Sequence, residues 1–67
     1  MTTGKFYSHD RFMDVHFQVL MQGPKGEYKV EWWHNSGYPM GKQWIEIKDK
    51  DRKHYSEKAP SASWYFP

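Results

Sequence analysis

Two stretches of this chain alternate apolar and polar residues with a period of two, and a turn stands between them. In Asp14 to Met21, Val15, Phe17, Val19 and Met21 point one way and His16, Gln18 and Leu20 the other. In Glu27 to His34, Tyr28, Val30 and Trp32 share one side, opposite Lys29, Glu31 and Trp33. Alternation with β-branched and aromatic residues belongs to half-buried strands, because successive strand side chains leave opposite faces. The intervening Gln22-Gly23-Pro24-Lys25-Gly26 reads as a turn: glycine supplies positive φ, and proline fixes φ and removes a donor. A third extended stretch, Gln43 to Lys48, places Ile45 and Ile47 opposite Trp44, Glu46 and Lys48, after an Asn35–Gly41 loop holding two glycines and a proline.

Parity decides which faces agree, even before a register is known. If Val15, Phe17 and Val19 face the core, the inner face continues through Tyr28, Val30, Trp32, Ile45 and Ile47. The outer face then carries Leu20, Trp33 and Trp44, with Lys29 and Glu46 as a compatible cross-strand pair. Two tryptophans on adjacent strands of one face predict an apolar patch.

Flanking segments are shorter. Lys5-Phe6-Tyr7 reads as a short strand and His9-Asp10-Arg11 as a turn. Asp49 to Lys58 is charged without sustained periodicity, which fits a long turn or one helical turn. Residues 59–63 read as an extended linker, and Trp64-Tyr65-Phe66 as an aromatic segment expected to dock on the domain or on a neighbouring protomer. The division expected is one small domain over residues 1–58 and an aromatic tail over 59–67. Sixty-seven residues bury too little surface for easy stability. With no cysteine to form disulfides, four Trp, five Tyr and four Phe supply the compensating area. In strand number and length the chain resembles an SH3-like barrel, so the expectation is an all-β fold: a small five-stranded SH3-like barrel or a strongly curled antiparallel meander.

Composition excludes several functions. The net charge of +2 lies within Lys48–Lys58, too small an excess to attract nucleic acid on its own. MTTGKFYSHDRF has no apolar signal-peptide core and no apolar run is long enough to cross a bilayer, so a soluble cytoplasmic protein is expected. His9, His16, His34 and His54 fall in four separate segments without ligand spacing, so no metal and no cofactor is expected. Ser8 beside His9 and Ser56 near His54 are neighbours in sequence only, and Gly23-Pro24-Lys25-Gly26 lacks the spacing of a phosphate loop. No enzyme is expected.

What remains is recognition. The residues nominated for binding are Leu20, Trp33, Tyr38, Trp44, Trp64 and Phe66, since buried aromatics dominate interfaces. The expected function is a non-catalytic module for protein–protein contact or self-assembly, as a homo-oligomer, in the style of a small phage or accessory protein. The alternative is a single-stranded nucleic-acid binder stacking bases on Trp33 and Trp44, with Lys42, Lys48, Arg52 and Lys53 near the phosphates. An aromatic cage for a methylated amine, walled by Trp33, Tyr38 and Trp44, is a weaker third reading.

Overall fold

The computed structural model describes residues 1–59; the expectations for Trp64, Phe66 and the rest of the tail lie outside the described residues. Five strands form one antiparallel sheet: β1 (Phe6–His9), β2 (Phe12–Gln22), β3 (Tyr28–His34), β4 (Pro39–Ile45) and β5 (Tyr55–Glu57). A short 3₁₀ helix, Asp49–His54, leads into β5. Among the described residues the spatial order is β4-β3-β2-β1-β5, so β4 and β5 are both edges and the sheet does not close into a barrel. Closure would need β4 to pair with β5, and β5 is only three residues long.

Phe17, Val19, Tyr28, Val30, Tyr7 and Ile47 form the core, with Met1, Trp32, Ile45 and Tyr55 packed against it. The alternation therefore reports the inner face correctly through its strongest positions. Register explains why: Tyr7 lies opposite Phe17, Phe17 opposite Trp32, and Val19 opposite Val30. Phe17 is 0% exposed and sits among aromatic rings, with Tyr7, Trp32 and Tyr55 centroids at 5.9, 4.9 and 5.8 Å. Offset and edge-on rings at these separations add to the area they bury.

Four features depart from the sequence reading. A bulge between Val19 and Met21 inserts one residue into β2, so Met21 lies opposite Lys29 and leaves the inner face. β4 begins at Pro39, not Gln43, because an edge strand tolerates a leading proline and a glycine at an irregularity. Gly41, at φ 133°, sits beside that irregularity between Trp32 and Trp33. With the register so set, Lys29 opposes Trp44, and the expected Lys29–Glu46 pair does not form. Finally, Tyr55–Glu57, read as part of a charged loop, is a strand paired with β1 through Tyr7↔Glu57 and His9↔Tyr55.

The β2–β3 connection follows its composition. Gly23 N donates to Glu27 O at 2.7 Å, and Gly26 adopts φ 85° with open space where a Cβ would stand. Only the backbone conformation disfavours a side chain there. Gly26→Ala is expected to cost about 1 kcal/mol in chemical denaturation. Asn, which tolerates positive φ, should cost less; an alanine variant as stable as the parent contradicts this account of the turn.

Candidate interaction surface

The outer face divides into two regions. At one end Phe6, His16 and Trp33 cluster: Phe6 and His16 rings lie 5.6 Å apart, and His16 opposes Trp33 across β2 and β3. His16 is 0% exposed, although alternation alone puts it on the face turned away from the core. Asn35 fixes which ring nitrogen carries the proton. Its Nδ2 donates to Met13 O at 2.7 Å, which turns Oδ1 toward His16, and Nδ1 of a neutral imidazole donates there at 3.0 Å. Burial pushes the His16 pKa down, with the Lys58 and His34 charges acting the same way and the Asn35 bond opposing them.

The other region is open. Met21, Lys29 and Trp44 lie in a row across β2, β3 and β4, and Met21 and Trp44 are 48% and 50% exposed. Trp33 and Trp44 are thus not one patch. Trp33 is half-buried with its indole nitrogen inside, whereas Trp44 stands four residue steps along the strands, about 13 Å away at the usual strand rise. Glu31 and Lys42 face each other between them. That spacing breaks the continuous stacking platform and the three-walled cage drawn from the sequence. Leu20 lies at the bulge, half-buried, and Tyr38 is exposed on the β3–β4 hairpin, stacked on His34 at 4.9 Å.

On the inner side of the same edge, Gly41 opposite Trp32 leaves a cleft of about 350 Å³, lined by Trp32, Met40, Gly41, Lys42 and Gln43. A larger groove of about 550 Å³ runs beside β1 and β5, walled in part by Lys5, Phe6, Gln18, Lys58 and Ala59.

The basic residues nominated for nucleic acid are scattered. Lys42 is on the outer face of β4 and Lys48 just precedes the 3₁₀ helix. Arg52 and Lys53 lie within that helix, where Arg52 Nε is held by Asp49 Oδ1 at 3.3 Å. Asp49 and Asp51 in its first turn and Arg52, Lys53 and His54 in its last complement the helix dipole, which gives these charges a structural role.

Sequence reasoning missed one polar cluster. Asp10 accepts from His54 Nδ1 at 2.8 Å, its other oxygen lies 3.4 Å from His9 Nδ1, and its backbone N donates to His54 O at 3.0 Å. The His54 hydrogen bond lowers the Asp10 pKa, desolvation opposes it, and the charges of His54, His9 and Arg11 add smaller lowering contributions. This clasp ties the β1–β2 turn to the helix. Its members stand 44 residues apart, a separation that local spacing does not reveal. Among the described residues no group of three or more acidic or histidine side chains is placed to hold a metal ion, and no helix is long and apolar enough to cross a membrane.

No family model matches this chain, and no curated protein or solved structure matches it either.

Proposed function

We propose that this chain is a non-catalytic assembly module, an open SH3-like sheet that makes protein–protein contacts and associates with itself. The observation carrying this reading is Trp44: a half-exposed tryptophan on an edge strand, in one row with Lys29 and half-exposed Met21 on the same face. Exposed aromatic area next to unpaired backbone is the usual chemistry of strand-mediated recognition. Strand count and the antiparallel pairing of first and last strands support the SH3-like description.

Sedimentation of the full chain over a concentration series tests the reading. Self-association is expected, together with at least about tenfold weaker association in Trp44→Ser, as for a central aromatic at an interface. Because Trp44 is half-exposed, its thermal midpoint should stay within a few degrees of the parent. A parent that remains monomeric throughout removes self-assembly. Tryptophan quenching by short single strands that weakens with salt would favour the nucleic-acid alternative, with Trp44, Lys42 and Lys48 as its contacts.

A further inference from the structure

The stretch Lys42-Gln43-Trp44-Ile45-Glu46 is self-complementary when laid antiparallel on a copy of itself. A two-fold axis through Trp44 sets Lys42 against Glu46 of the second copy, twice, and Trp44 against Trp44. We propose that β4 pairs isologously with β4 of a second copy in this register, joining the two sheets into one. The proposal rests on the self-assembly reading above and names its interface.

Four independent features converge on this register. β4 is an edge, so alternate residues turn amide and carbonyl groups outward, whichever parity that is. At seven residues it offers a longer edge than three-residue β5. Lys42 and Trp44 share the outer face with their partners Glu31 and Lys29. Glu46, the residue after the end of β4, follows on that side, because Ile45 and Ile47 on either side of it turn toward the core, and the pairing extends the strand by this one residue. Charge and ring are therefore on one face, as cross-strand pairing requires.

Exposure agrees. Lys42, Trp44 and Glu46 are all exposed, and among the described residues neither Lys42 nor Glu46 forms an ion pair, although Lys42 lies opposite Glu31. Centring the axis on Lys42 instead would oppose two lysines. On the inner side the chosen register sets Ile45 of the second copy against Gln43, at the edge of the cleft beside Trp32.

A charge swap tests the pairing. Lys42→Glu sets two carboxylates against each other at both ends of the interface, and Glu46→Lys sets two ammonium groups against each other in the same way. Each variant alone is expected to dimerise at least about tenfold more weakly than the parent in sedimentation equilibrium at low salt. In an equimolar mixture of the two, each mixed dimer pairs like charges with neither end: one end joins two introduced charges of opposite sign, the other the two native ones. A heterodimer of near-parental affinity should therefore form. Circular dichroism unfolding of each variant checks that both are folded, as exposed sites should permit. A parent dimer indifferent to both single changes, or a mixture no tighter than its components, overturns this interface while leaving self-assembly standing. A parent that stays monomeric overturns both.

Discussion

Phe17→Ala is expected to leave the chain without a cooperative fold at room temperature. Phe17 is fully buried at the meeting of β1, β2, β3 and β5, with three aromatic rings packed around its own at the separations given above. Truncating such a side chain costs about 3–5 kcal/mol in larger proteins, as lost transfer energy and cavity together. A single hydrophobic core in a domain this short rarely supplies more than about 3–5 kcal/mol. The loss therefore consumes most or all of the stability. Near-UV circular dichroism should lose its aromatic signal, and the thermal transition should broaden or vanish. Phe12→Ala is the control: the same chemistry at a position 58% exposed should leave the transition nearly unchanged. A sharp transition in Phe17→Ala close to the parent's would mean that the core is not centred on this ring.

Acidification should destabilise the fold in two separate windows, and the first belongs to His16. Its pKa is lowered by burial in the native state and returns to the ordinary histidine value near 6.5 on unfolding. The unfolded chain therefore binds more protons between those two values, so stability rises with pH there. Stability is fully present above about pH 6.5 and is lost as the pH falls toward the native pKa. The groups facing His16 are Asn35, which accepts from the imidazole, and the Lys58 and His34 charges, which oppose a second positive charge. His16→Gln keeps a donor for Asn35 and removes the titration. Its denaturation midpoint should be lower at neutral pH, yet flatter than the parent's as the pH falls below about 6.5. An unchanged slope in that variant would assign the pH dependence to other histidines. The second window opens only near pH 4 and below, where the lowered pKa of Asp10 makes protonation of its carboxylate break the clasp to His54. Asp10→Asn should remove that late loss alone.

The inner face is legible in the sequence because period-two alternation depends on the pleat and nothing else. Phe17, Val19, Tyr28 and Val30 need no partner to be assigned. Met21 falls on the other side because one inserted residue reverses parity from that point, and a bulge without a glycine leaves no local mark. The start of β4 is hidden by Pro39 and Gly41, which break central strands but are tolerated on an edge. β5 is hidden for the opposite reason. A three-residue edge strand paired on one side can consist of Tyr-Ser-Glu, and its strand character comes from β1 alone. His16 shows the limit of parity as a guide. Alternation places it away from the core correctly, but its burial there depends on Phe6 and Trp33, whose alignment requires the register of three strands. The separation of Trp33 from Trp44 has the same origin: both are on the outer face, and only register sets the distance between them.

The pairing of β1 with β5 has a consequence for biosynthesis. β1 has β2 on one flank, and its other flank meets residues 55–57, with Lys58 N donating to Phe6 O at 2.8 Å. While the chain emerges from the ribosome, β2, β3 and β4 can zip together through near neighbours, but the outer flank of β1 stays bare until residue 58 is out. For that interval the nascent chain offers β1 itself as a second sticky border, which in the folded molecule is covered by residues 55–57 and passes to the shorter β5.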